Sequence, residues 1–133
     1  MMTMTPPKPP SIGSHKRGDV ALVLFPNSDL RSAKTRPVLV VQADNLNTGL
    51  PQIVVAMISS KIMRANHPCR VLISLATPEG QQTVLLVDSV VMTDNMATVM
   101  LSAISRVIGR LPDMNDVDAA LRHTFIINTP HES

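Results

Sequence analysis

Apolar residues fall in short blocks, separated by polar stretches rich in turn formers. Val20 to Phe25 (VALVLF) is almost unbroken apolar sequence between Gly18-Asp19 and Pro26. A run of this kind reads as a strand buried on both faces. A second block, Pro37 to Gln42 (PVLVVQ), and a third, Gln52 to Ile58 (QIVVAMI), have the same character. Cys69 to Leu75 alternates more loosely and predicts a fourth strand. Thr83 to Val87 predicts a fifth, renewed from Asp88 to Thr93 after a break at Asp88-Ser89. The intervening segments Asn27–Thr35, Asp44–Pro51, Met63–Pro68 and Thr77–Gln82 carry the Asn, Asp, Ser, Gly and Pro of turns and loops.

The period changes after Asp94-Asn95. Met96, Val99, Met100 and Ile104 recur at helical spacing, which predicts a short helix, with Ile108–Pro112 as a connector. Asp113 then suits the N-cap of a final helix whose apolar face is Met114, Val117, Ala120, Leu121 and Phe125. Asp116 and Asp118 fall near its positive end, and Arg122 and His123 near its negative end. Residues 1–15, rich in Pro, Ser and Thr, read as a disordered leader, residues 16–127 as one domain, and residues 128–133 as a frayed tail. No internal repeat is present. Short strands followed by helical sequence give an α+β or small-barrel class, not alternating βαβ units.

Composition narrows the functional classes. At 133 residues and 44% hydrophobic, the chain can build one real core. No apolar run reaches the roughly 18–20 residues of a membrane span, and the N-terminus lacks the apolar stretch of a signal peptide. The single cysteine, Cys69, leaves no internal disulfide and no cysteine-built zinc site, so a reducing, cytoplasmic setting is expected. The net charge is +2 and the pI about 9.1, which permits a nucleic-acid partner without requiring one. There is no Trp or Tyr and there are two Phe. A nucleic-acid site here would rest on Arg, Lys, hydroxyls and backbone amides instead of stacked aromatics.

Arg36-Pro37 stands at the mouth of the second strand, behind a basic loop carrying Arg31 and Lys34. Pro37 fixes its own φ and pushes Arg36 towards extended geometry. That places a guanidinium at the rim of a rigid strand, where it either holds an anion or simply begins the strand. The loop is equally readable as a solvated hairpin loop or a substrate-binding one. Ser59-Ser60-Lys61 puts two hydroxyls and a cation at the end of the third strand, either to cap backbone groups or to contact a ligand. Asp94 follows another strand. There is no glycine-rich phosphate loop, His15, His67, His123 and His131 have no ligand spacing, and Asp19, Asp29, Asp44, Asp88 and Asp94 do not cluster. A metal-free mechanism is therefore expected. If the strand ends converge, Arg36 could fork onto a phosphate while a serine donates to the same group. Such a site suits phosphodiester cleavage by an internal 2′-hydroxyl, a reaction open to RNA alone.

In these residues the chain resembles the PemK/MazF/Kid family of bacterial toxin endoribonucleases. The matching pieces, in order, are KRGDV from Lys16, TRPVLVV from Thr35, ISSKI from Ile58, DSVV from Asp88, IGRL from Ile108 and VDAAL from Val117. The resemblance implies an SH3-like β-barrel of about five to seven mostly antiparallel strands with a C-terminal helix, usually as a homodimer. It implies metal-independent cleavage of single-stranded RNA, with no cofactor, leaving 2′,3′-cyclic phosphate and 5′-hydroxyl ends. It also implies a cognate antitoxin that covers the RNA groove, DNA binding by the toxin–antitoxin complex, and no membrane association. Position by position, Arg36 matches the family's key arginine, Ser59 its catalytic Thr or Ser, and Asp94 an acid that some members use in proton transfer. Asn27, Arg31, Lys34, Ser60 and Lys61 are the expected RNA-binding residues. Members often carry Arg two positions before that acid and three after it, where this chain has Met92 and Ala97. That departure leaves a second reading open: a catalytically degenerate barrel that sequesters antitoxin or binds a gyrase-type target.

Overall fold

The computed structural model describes residues 15–26 and 29–128. The chain forms one antiparallel sheet of six strands: β1 (Asp19–Pro26), β2 (Ala33–Val40), β3 (Gln52–Ser59), β4 (Arg70–Ile73), β5 (Ser89–Met100) and β6 (Ile104–Arg110). A short helix, α1 (Pro78–Gln82), lies between β4 and β5, and the C-terminal helix α2 (Asn115–Phe125) follows β6. The strands lie in the order β4-β5-β3-β2-β1-β6, with β4 and β6 as unpaired edges, so backbone hydrogen bonds do not close the expected barrel into a ring. No helix among the described residues is long and apolar enough to cross a membrane.

The unbroken apolar blocks are unbroken because the sheet is covered on both sides. Val20, Leu39, Val41, Ala56, Ile58 and Val91 pack on one side, joined by Val117 of α2. Their chain neighbours Ala21, Val38, Val40 and Val55, with Val99 of β5, form a second cluster on the other side. The start of the domain is tied down by Arg17. Its Nε donates to the Val41 carbonyl at 2.9 Å, and its Nη2 reaches Asp118 of α2 at 2.6 Å. Gly18 has φ +94°, and a Cβ there would sit 2.9 Å from the Leu111 carbonyl. Only glycine takes this turn without strain.

Four expected elements are corrected. The loop expected over Asn27–Thr35 ends early, because β2 already begins at Ala33, so Lys34 and Arg36 lie within the strand and Arg36 pairs with Val23 of β1. Thr83–Val87 is not a strand. Thr77 accepts a hydrogen bond from the Gly80 amide at 3.0 Å and Pro78 opens the helix, so the expected turn Thr77–Gln82 contains α1, and the apolar residues after it form an irregular loop. The helix expected from Met96 is the second half of β5, paired with β3 from Gln52↔Met100 to Ala56↔Met96. The pairing then jumps to Met57↔Met92, leaving Thr93, Asp94 and Asn95 as a bulge. Inserted residues shift the phase of side-chain alternation and bend the strand, so the apolar positions mimic a helical period. The connector at Ile108 belongs to β6. The final helix is present, but it begins at Asn115 and its N-cap is Met114, not the expected Asp113, which lies one residue earlier and accepts the Asn115 amide at 2.9 Å. Most of the expected leader, residues 1–14, and residues 129–133 of the expected tail lie outside the described residues.

Candidate nucleic-acid interface

The register of three strands builds the floor of a groove. Leu22 of β1 pairs with Pro37 of β2 and with Arg106 of β6, so these side chains stand on one face. The end of β3 supplies Met57 to Ser59, followed by Ser60, Lys61 and Arg64. The groove measures about 760 Å³. Among the described residues its lining carries five cations, Lys34, Arg36, Lys61, Arg64 and Arg106, and no aspartate, glutamate or histidine. Cations crowded along a concavity without counter-charges raise the local concentration of a polyanion.

The Arg36 side chain is exposed and makes no hydrogen bond or ion pair with any described residue. Its guanidinium is therefore available to a ligand. Ser59 is oriented instead. Its Oγ accepts the Lys61 amide at 3.1 Å, and Nη1 of Arg64 approaches it at 3.5 Å. Both contacts use the oxygen as acceptor, so the hydroxyl proton remains free to donate. The same Arg64 nitrogen lies 3.7 Å from the sulfur of Met92, which brings a guanidinium beside a position that itself carries no charge.

The opposite wall is the loop Val84–Val87. Thr83 is fully buried and holds its start, donating to the Gly80 carbonyl at 2.6 Å and accepting the Leu85 amide at 3.3 Å. Ser89 holds its end, donating to the Val87 carbonyl at 2.9 Å. Val84 has φ +60°. This is rare for a β-branched residue and costs on the order of 1–3 kcal/mol, which the surrounding bonds must offset. Leu86, at the middle of the loop, is 94% exposed and borders the groove.

The structure brings Arg36, Ser59, Ser60, Lys34 and Lys61 together and leaves Asp94 and Arg31 outside this groove. Asp94, expected beside Arg36, does not border this groove. It lines a second hollow of about 790 Å³ with Cys69 and the end of α2, because the bulge gives Asn95 to the groove and Asp94 to the hollow. There Arg70 binds both its carboxylate oxygens. The Arg70 hydrogen bonds hold the Asp94 carboxyl below the usual aspartate range, and Asp94 in turn raises Arg70. Arg31 is exposed in the first loop but does not line the groove. That loop is tied by Asp29, which accepts the Arg31 and Ser32 amides at 2.9 and 3.3 Å. Asn27 lies outside the described residues. Arg64, Asn95 and Arg106 also border the groove and were not singled out from sequence. Reading 104–110 as a strand places Arg106 between the alternate apolar positions Ile104 and Ile108.

Against this geometry, the family model of the PemK-like, MazF-like toxins of type II toxin–antitoxin systems matches residues 16–125. The chain belongs to this family. Its fold is similar to that of the Mycobacterium tuberculosis toxin MazF-mt6, with 21% identity over 84% of this chain and 99% of that one and a TM-score of 0.66. It is also similar to an endoribonuclease in complex with its cognate antitoxin from a Mycobacterial species, with 20% identity, coverage of 87% and 99%, and a TM-score of 0.66. A third similar structure is MazF in the MazE–MazF complex of Deinococcus radiodurans, with 14% identity, coverage of 86% and 97%, and a TM-score of 0.62. No curated protein sequence matches the chain. As a PemK/MazF-like toxin it keeps the family's six-stranded sheet and C-terminal helix.

Proposed function

We propose that this toxin is an endoribonuclease that cleaves single-stranded RNA, including mRNA, without a metal ion. The observation that carries the reading is the uncommitted guanidinium of Arg36 beside an oriented Ser59, in a groove of cations without acids. Arg36 holds the non-bridging oxygens of the scissile phosphate and stabilises the charge that builds on them. Ser59 donates its hydroxyl proton to the same phosphate, and Arg64 adds a second positive charge. The RNA 2′-hydroxyl gives up its proton to solvent water as its oxygen bonds to phosphorus, the bond to the 5′-oxygen breaks, and that oxygen takes up a proton from water. The products are a 2′,3′-cyclic phosphate and a 5′-hydroxyl. Lys34, Ser60 and Lys61 bind neighbouring phosphates, and Arg31, exposed in the first loop, binds the strand beyond the groove. Asp94, paired with Arg70, acts by fixing the bulge and not by moving a proton. Among the described residues the groove lining offers no carboxylate, imidazole or thiol to ligate a divalent cation, which supports chemistry without one. The toxin acts in the cytoplasm as a homodimer restrained by a cognate antitoxin, and the toxin–antitoxin complex binds DNA.

One observation favours a second reading. The groove also lacks a carboxylate or imidazole to act as general base, as a non-enzymatic antitoxin- or target-binding module would allow. Incubation of purified, antitoxin-free protein with a long single-stranded RNA in EDTA, with fragment ends mapped, separates the two. Discrete cuts with cyclic phosphate ends, lost in Arg36→Ala and Ser59→Ala, establish the ribonuclease. Intact RNA from folded protein establishes the binding module.

A further inference from the structure

We infer that Leu86 is a specificity-determining platform on which one RNA base packs. The inference rests on the reading of the groove as an RNA site and names how that site contacts a base. Two properties of the groove wall call for an explanation. Leu86 is 94% exposed, although it borders a concavity where an apolar side chain could have been tucked away. The backbone that presents it is also held in place: Thr83 binds its start, Ser89 binds its end, and Val84 keeps a left-handed φ between them. Behind the loop, Gly109 of β6 approaches so closely that a Cβ would lie 2.4 Å from the Thr83 carbonyl. A loop fixed this firmly does not collapse over its own leucine.

Charge identifies the occupant. Five cations without an acid select a polyanion, and an apolar wall selects a polyanion that also carries flat apolar faces. Unstacked bases of a single strand combine the two. The groove has no Trp, Tyr or Phe, so its apolar contact with a base must come from aliphatic side chains. Leu86, flanked by Val84 and Val87, is the most exposed of these. The cations fix the backbone in the groove, and Leu86 then packs on the base that the backbone carries past it. Phosphate contacts hold the strand without reading it, while this contact depends on the base.

The test uses full-length protein and two fluorescein-labelled single strands of equal charge, both with non-cleavable 2′-fluoro sugars. One strand carries bases and the other is abasic. Wild type should prefer the base-bearing strand by about fivefold or more. Leu86→Ser should lose most of that preference while binding the abasic strand as wild type does, with the same salt dependence and melting temperature. Leu86→Met should restore the preference. A preference undiminished in Leu86→Ser overturns the inference while leaving the RNA-groove reading intact. Binding of neither strand by wild type overturns both, and that result is recognisable without any variant.

Discussion

Arg70 grips Asp94 through both carboxylate oxygens, Nε to Oδ1 at 2.9 Å and Nη2 to Oδ2 at 2.7 Å. The pair spans β4 and the bulge of β5, and turns the acid away from the groove that holds Arg36 and Ser59. Asp94→Asn should therefore leave RNA cleavage within about threefold of wild type, whereas loss of a general base lowers rate by about 100-fold or more. Single-turnover cleavage rates decide between these outcomes.

The same pair predicts an acid-side signature. The folded-state pKa of Asp94 is depressed below the ordinary 3.8. Its contribution to stability is thus complete above that value and is lost as the pH falls through the folded-state pKa. Urea midpoints measured at falling pH should drop less steeply in Asp94→Asn than in wild type. The two curves should run parallel from about pH 5 upwards, where the carboxylate is ionised in both folded and unfolded states.

Arg64 contributes to the groove through Ser59. In Arg64→Ala the Ser59 hydroxyl loses one of its two orienting contacts and the scissile phosphate loses a cation. Cleavage should slow about tenfold with the melting temperature unchanged, since Arg64 is exposed. Arg64→Lys should recover part of the rate. Rates equal to wild type in Arg64→Ala would remove this residue from the site.

Arg106 should act through charge alone. In Arg106→Ala the slope of log affinity against log salt should become shallower by about 0.7, the value for one phosphate contact on a single strand. The positions of cleavage in a mapped RNA should not change. A changed cleavage pattern would mean that Arg106 reads a base.

Gly109 is needed for close approach of β6 to the loop that carries Leu86. Gly109→Ala places a Cβ 2.4 Å from the Thr83 carbonyl, against backbone that cannot rotate away. Stability should fall by about 1–3 kcal/mol, as overpacking does elsewhere. RNA affinity should fall as well, because the loop is displaced. Thermal unfolding and a binding titration on the same preparation measure both effects.

Local sequence determined much of this protein. The unbroken apolar blocks specify β1 to β3 because strands covered on both faces need no alternation, and the apolar stripe from Met114 to Phe125 specifies α2. Arg36 and the Ser59-Ser60-Lys61 run were legible because each borders an apolar block as a polar interruption, although Arg36 lies within β2 and not at its end. The tertiary structure decided the rest. The bulge at Thr93–Asn95 arises from pairing with β3, and no local pattern shows that Asp94 and Asn95 will leave the strand towards different surfaces. Thr83–Val87 has the composition of a strand, yet it is a loop because the buried Thr83 hydroxyl and the close approach of Gly109 fix it in place. Arg64 and Arg106 reach the groove from segments far apart in the chain. Convergence of that kind depends on strand order and register, which arise from long-range hydrogen bonding and not from the residues on either side.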